Sequence, residues 1–151
     1  MKIVSWNVNG LEACRRKGFL KFLKAATPDI VCCQETKVSP QFQIKTPGYT
    51  QIWNHGIRPG YSGTLVLTIR EPLSYSLGLG IEKFDVEGRL ITLEFEEYYV
   101  LNVYAPSIHE NNGSDRPDYR REWDEALRDY VGTLSKPVIM CGDFNATAAD
   151  I

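Results

Sequence analysis

No uninterrupted apolar stretch in these 151 residues approaches the roughly 18 that suggest a membrane span. The opening Met1 to Gly10 carries one lysine, a strand-like apolar pattern and no small-residue cleavage site, so no secretory leader is expected. Cysteine is sparse: Cys14, Cys32, Cys33 and Cys141 include no CxxC pair, and two of them are adjacent. Neighbours in a strand point to opposite faces, so Cys32 and Cys33 are not expected to bridge each other. Buried thiols in a reducing cytoplasm are the expectation, which makes the chain cytoplasmic. Histidine occurs twice, at His55 and His109, both read as loop or surface residues. There is no internal repeat and no low-complexity tract. What is present is an ordinary soluble mixture, 43% hydrophobic and 24% charged, which excludes a disordered tail, a collagen-like rod and a coiled coil. A length near 150 predicts one domain over 1–151.

The net charge of −2 conceals an asymmetry. Residues 1–75 hold ten Lys/Arg against four Asp/Glu, and residues 76–151 hold seven against fifteen. A basic first half can attract a polyanion and carboxylates can hold a cation, but composition alone favours a solvated surface with uneven charge.

Strand and helix signals alternate at first, then strands dominate. Lys2 to Val8 reads as a strand stopped by Asn9-Gly10. A helix is predicted over 11–26, with Phe19, Phe22, Leu23 and Ala26 on one stripe and Lys17, Lys21 and Lys24 on another. Thr27-Pro28-Asp29 ends it. Ile30 to Cys33 has the continuous apolar character of a strand buried on both faces. A meander is expected from Tyr49 to Val103, with strands at Tyr49–Asn54, Thr64–Ile69, Ser74–Leu79, Leu90–Phe95 and Tyr98–Val103, the last two flanking a Glu96-Glu97 turn. Tyr119, Trp123, Leu127, Tyr130, Val131 and Leu134 recur at helical spacing after Pro117-Asp118. Pro137 to Cys141 is a further short buried strand. The fold class is mixed α and β, with helices packed against one sheet.

Three apolar strands run into polar tips. Ile3-Val4-Ser5-Trp6 leads to Asn7, Ile30-Val31-Cys32-Cys33 to Gln34-Glu35, and Val138-Ile139-Met140-Cys141 to Gly142-Asp143-Phe144-Asn145. Strand ends are where α/β sheets gather ligands. Should the tips lie side by side, Asn7, Glu35, Asp143 and Asn145 form an oxygen-only set suited to a hard cation such as Mg²⁺. Singly, each position is better explained by turns and caps, and only the three tips together bring the ligand reading level with that.

Ser-Trp-Asn-Val-Asn-Gly-Leu (5–11), Gln-Glu-Thr-Lys (34–37), Gly-Tyr-Ser-Gly (60–63), Glu-Gly-Arg (87–89), Val-Tyr-Ala-Pro (103–106), Arg-Xaa-Xaa-Trp-Asp (120–124) and Gly-Asp-Phe-Asn (142–145) occur in that order. Together they resemble the exonuclease III-type apurinic/apyrimidinic endonucleases of the endonuclease/exonuclease/phosphatase superfamily. The resemblance implies Mg²⁺, with Mn²⁺ as a substitute, and double-stranded DNA with abasic sites or 3′ ends as substrate. It implies Glu35 as the metal carboxylate with Asn7 beside it, and Asp143 as the group that aligns or deprotonates water or protonates the leaving oxygen. Asn145 and Tyr104 would hold the phosphate, and Tyr61, Arg89, Arg16 and Lys17 would grip the backbone. Alternatives are another phosphoesterase acting on lipid or nucleotide phosphates, or a non-catalytic half that binds DNA or a partner.

Two positions depart from the family pattern: Ser107 stands where a phosphate-binding asparagine is usual, and Glu12 where an arginine is common. Family members also carry a second half after Gly-Asp-Xaa-Asn, with a further asparagine, an Arg-Xaa-Asp segment and a final Ser-Asp-His. The resemblance therefore implies the N-terminal half of a four-layer α/β sandwich, an α+β unit with one mixed sheet, helices on its outer face and the second sheet largely missing. The expected consequences are low activity for this chain alone and an apolar face buried by self-association or by a complementary C-terminal half.

Overall fold

Alternation of side chains along each strand sorts this sequence into layers. The computed structural model describes residues 1–109 and 115–146. Strand β1 (Ile3–Asn7) pairs in parallel with β2 (Ile30–Gln34), and β2 pairs antiparallel with β4 (Thr64–Thr68), which pairs antiparallel with β3 (Thr50–Asn54). The order of this first sheet is β1-β2-β4-β3. The second sheet, in order β5-β6-β7-β8, comprises β5 (Ser74–Leu77), β6 (Leu90–Glu94), β7 (Tyr99–Tyr104) and β8 (Val138–Asp143). Only β7 and β8 pair in parallel within it.

The α+β class and the sandwich arrangement stand, but the expected single sheet does not: two four-stranded sheets are present, and the expected meander is divided between them. The physical cause lies at Thr68. Its hydroxyl donates to the Arg70 carbonyl (2.7 Å) and accepts from the Arg70 amide (3.0 Å), turning the chain away before Leu73 joins Glu94 of the other sheet. The inner faces then bury each other, with Ile30, Cys32, Ile52 and Val66 against Ile91, Leu93 and Val100. The exposed inner face expected from the sequence is therefore covered within the chain.

Helices α1 (Leu11–Arg16) and α2 (Phe19–Ala26) cover the outer face of the first sheet through Leu11, Phe19 and Leu23 on Val31, Cys33 and Leu67. The single helix predicted over 11–26 is broken at Gly18, whose φ of 112° only glycine adopts readily. Helix α4 (Pro117–Gly132) opens at Pro117 as expected and covers the second sheet with Trp123 and Leu127 on Leu90, Leu101 and Val103. A short helix, α3 (Glu82–Asp85), had no sequence signal. Cys32 and Cys33 face opposite sides of β2, one between the sheets and one under the helices, as alternation requires. All four cysteines are free. No helix among the described residues is long and apolar enough to cross a membrane.

Strands β1 and β8 are the edges on one border and lie against each other. This border carries the polar strand tips. Gly142, at φ 153°, lets β8 approach β7 so closely that an added Cβ would stand 1.9 Å from the Val103 carbonyl oxygen. Gly142→Ala is therefore expected to destabilise the fold by about 3 kcal/mol or more, read from urea denaturation, because the obstacle is backbone that cannot rotate away. A loss below about 1 kcal/mol would contradict this packing.

Candidate active site

Parallel pairing brings the tips together. In β1 and β2, Asn7 is opposite Gln34, and in β7 and β8, Tyr104 is opposite Asp143. The Asn7 side-chain nitrogen donates to the Glu35 carboxylate at 2.8 Å and to the Asp143 carboxylate at 2.6 Å. An amide oxygen in that place would face two carboxylates, so the nitrogen belongs there. Asn7 Oδ1 meanwhile accepts the Asn9 backbone N–H (2.9 Å). Asn7 thus orients the carboxylates and turns its own oxygen away from them, so it does not join the oxygen-only set that the strand tips suggest.

The loops that deliver these groups are bent in the same way. Asn9, Glu35, Lys37, Ser62 and Asn145 all have positive φ, between 43° and 59°. Among the described non-glycine residues only Thr27 shares this, at the end of α2. Such conformations cost of order 1–3 kcal/mol each and persist where surrounding structure imposes them, characteristically at functional sites. Lys37 Nζ sits 2.6 Å from the Glu35 carboxylate and donates to Asn9 Oδ1 (2.8 Å). Asp143 accepts the Asn145 backbone N–H (3.0 Å), and the Asn145 side chain donates to the Ala105 carbonyl (2.8 Å).

Next to the carboxylates is a cavity of about 420 Å³ that Glu35, Lys37, Arg58, Tyr61, Arg89, Tyr104, Ser107, Arg116 and Asn145 help to line. Its cationic wall is built on Glu87, which holds Arg89 at 2.5 Å and Arg116 at 2.9 Å. Burial pushes the Glu87 carboxyl up, but the charges and hydrogen bonds of the two arginines outweigh it and keep the carboxyl below its ordinary range. Both guanidiniums also donate to the Tyr61 hydroxyl, at 3.3 and 3.1 Å. Arg89 lies over the Tyr104 ring, 4.6 Å from its centroid, and donates to the Tyr104 carbonyl (3.1 Å). Burial, then the Glu35 charge, push the Tyr104 hydroxyl up to about 12 against the pull of Arg89. It is therefore a donor throughout the neutral range.

Of the residues singled out from sequence, Asn7, Glu35, Tyr61, Arg89, Tyr104, Ser107, Asp143 and Asn145 converge on this border. Arg16 and Lys17 do not join them. Arg16 is paired with Glu12 (3.1 Å) on α1 and lines a separate groove, and Lys17 is exposed. Sequence reasoning missed Lys37, Arg116 and Glu87. Lys37 and Glu87 stood inside quoted motifs, whereas Arg116 had no signal beyond preceding the helix-opening Pro117.

The donor set fits a hard cation. Among the described residues no group of three or more His, Cys, Asp or Glu could cage an ion. Mg²⁺, however, uses one or two carboxylates and fills its remaining positions with water and phosphate oxygens. Glu35 and Asp143, held to one shared amide, provide that pair.

These features place the chain in a known family. Residues 4–151 match the model of the Endonuclease/Exonuclease/phosphatase family, and the chain belongs to it. It is 47% identical over its whole length to an exodeoxyribonuclease of Bacillus subtilis, and 40% identical to a DNA-(apurinic or apyrimidinic site) endonuclease of Dictyostelium discoideum. It spans 61% and 43% of those two proteins respectively. Among solved structures, an AP endonuclease from Archaeoglobus fulgidus superposes with a TM-score of 0.79 at 32% identity, over 96% of this chain and 57% of that one. A 3′ phosphatase from Neisseria bound to a product DNA hairpin gives 0.81 at 27%, over 99% of this chain and 60% of that one.

The tyrosines give the site a pH signature. Tyr119, which edges onto Phe84, is likewise pushed up to about 12, by burial and then by the Glu87 charge. Between the ordinary value of 10 and 12 the unfolded chain has released these protons while the folded one keeps them. Stability is therefore expected to fall as pH rises through that window. Urea midpoints at pH 9, 10 and 11 should decline less steeply in Tyr104→Phe than in the wild type. Parallel curves would contradict the assignment.

Proposed function

We propose that this chain supplies the N-terminal part of a divalent-cation-dependent DNA phosphodiesterase. It cuts the backbone at abasic sites and trims 3′ ends, with Mg²⁺ as the cation and Mn²⁺ as a substitute. The observation that carries the reading is the Glu35–Asp143 pair bridged by Asn7 beside an arginine-lined cavity. The names of the exodeoxyribonuclease and AP endonuclease relatives support it.

Glu35, with Asp143 adjacent, would hold the cation, which when bound polarises a phosphoryl oxygen and offsets charge on the leaving oxygen. The remaining work belongs to the chain's own groups. Tyr104 donates its hydroxyl hydrogen to a phosphate oxygen. Arg89 and Arg116, fixed by Glu87, neutralise the flanking backbone charge. Asn145 borders the phosphate, and Asp143 exchanges a proton with a water or an oxygen on it. Lys37 balances Glu35 until a cation takes its place.

The chain spans about half the length of the relatives it matches, so full activity is assigned to the whole protein and weak activity to these 151 residues alone. Among the described residues His55 stacks on Trp53, while His109 pairs with Asp115 and lines the cavities that Glu35 and Asp143 also line. The border of β1 and β8, half-exposed where β2 and β7 are buried, is where a complementary C-terminal half would extend both sheets.

The test is nicking of a duplex carrying one abasic site, by the full-length protein and by the 151-residue chain, with Mg²⁺ or with chelator. Metal-dependent nicking by the full-length form is expected, reduced about 100-fold or more by Glu35→Gln and largely absent from the 151-residue chain. Turnover of phosphoinositides with abasic DNA untouched would move the protein to another branch of the family. Salt-dependent DNA binding without turnover in both forms would make it a binding module.

A further inference from the structure

Two buried side-chain amides join the sheets directly beneath the site. Gln34 is 1% exposed and Asn102 0%. Gln34 Nε2 donates to Asn102 Oδ1 at 2.7 Å, across the interface between β2 and β7. The same nitrogen lies 3.0 Å from the Cys32 carbonyl oxygen and 3.1 Å from Ser5 Oγ. Asn102 Nδ2 donates in return to the Cys33 carbonyl (3.0 Å) on β2 and to the Leu65 carbonyl (3.1 Å) on β4. Four strands are thus tied by two side chains: β1, β2, β4 and β7. Further inter-sheet bonds lie at the neighbouring strand ends, from Asn54 to the Leu90 carbonyl (2.8 Å) and from Thr64 to the Gly88 carbonyl (3.0 Å).

Position in the strands gives this cluster its meaning. Glu35 follows Gln34 directly. Tyr104 is two residues beyond Asn102, on the same face of β7. Cys141, the register partner of Asn102 on β8, is two residues before Asp143. Strands β1, β2 and β7 are therefore each tied within two residues of the group they deliver, and β8 follows through its pairing with β7.

The cluster is also a poor way to gain stability. Gln34 Oε1 is buried and has no hydrogen-bond partner among the described residues. Away from these tips the sheets meet through Ile30, Cys32, Val66, Ile91, Leu93 and Val100, which bury no unmet polar atom. Well-packed apolar side chains commonly equal or exceed a buried polar pair in stability, so a pair kept with an unmet acceptor needs another reason.

We infer that Gln34 and Asn102 are positioning residues that clamp the two sheets at the spacing at which Glu35 and Asp143 serve one cation. The inference rests on the cation reading given above. Gln34 borders the cavity beside Asn7 and Asp143 but is 1% exposed, and Asn102 is fully buried, so both are assigned an action through the backbone of β2 and β7.

The test uses Mn²⁺ alone as the probe, with the 151-residue chain and binding followed by calorimetry. Gln34→Leu/Asn102→Leu replaces the pair by apolar groups, and Val100→Ala is the control that loosens the inter-sheet core without touching the amides. The expected result is a Mn²⁺ affinity at least tenfold weaker in the double variant with its melting temperature kept or raised, and unchanged affinity in Val100→Ala despite a lower melting temperature. The two single variants should each lose most of the affinity and combine non-additively, as members of one unit do. Unchanged Mn²⁺ affinity in the double variant, or an equal loss in Val100→Ala, overturns the clamp. Absence of Mn²⁺ binding in the wild type overturns the cation reading, and the clamp with it.

Discussion

Two carboxylates from opposite sheets share the N–H donors of one amide, and the arrangement of the site follows from that contact. Glu35 leaves the end of β2 and Asp143 is the last residue of β8. Brought close, two negative groups repel each other. Asn7 meets this by donating to both, and Lys37 adds a positive charge against Glu35. For Asn7 to reach both, β1 must pair with β2 and lie against β8. That requires the sandwich, and the sandwich requires the chain to cross between sheets after Thr68. The other oxygens of the pair are held on the same border, Glu35 by Lys37 and Asp143 by the Asn145 backbone N–H.

The second charge system complements the first. Arg89 and Arg116 come from the acidic half of the sequence, Tyr61 from the basic half, and Glu87 organises all three. Arg89 is only 3% exposed and bonded to Glu87, Tyr104 and Tyr61, so its orientation is set by the fold. The site thus sets a carboxylate pair bridged by Asn7 beside an arginine wall held by Glu87, with Arg89 over the Tyr104 ring. Net charge over the whole chain hides this because the two signs nearly cancel.

Much of this was legible in the sequence, for reasons that differ from residue to residue. The short apolar run of β2 was readable because a strand buried on both faces leaves a continuous signature. Strands β1 and β8 carry similar runs and polar tips but are half-exposed edges, so the buried strand expected at Pro137 to Cys141 is not what forms. Cys32 and Cys33 followed from strict alternation. The break at Gly18 was missed because the apolar stripe continues on both sides of it, and periodicity does not register one glycine's φ. The division of the meander between two sheets was missed because hairpin spacing says which strands are near neighbours in sequence, not which face each one covers. Arg116 lay outside every motif, and only tertiary packing on Glu87 brings it to Tyr61. Asn102 left a faint trace, a polar residue at an inward position of an apolar strand. Arg16 and Lys17 stand outside this border, on an exposed face of α1 where Arg16 pairs with Glu12.

The account stands on one cation serving Glu35 and Asp143 together. Its most direct test is a crystal of this chain soaked in Mn²⁺ and measured at the manganese absorption edge. The expected result is a single anomalous peak at the border of β1 and β8, within about 2.0–2.6 Å of a Glu35 carboxylate oxygen, with Asp143 bounding the same site and Lys37 displaced. A peak held by other residues, or well-ordered Glu35 and Asp143 side chains still bridged by Asn7 with no ion between them at saturating Mn²⁺, would contradict it.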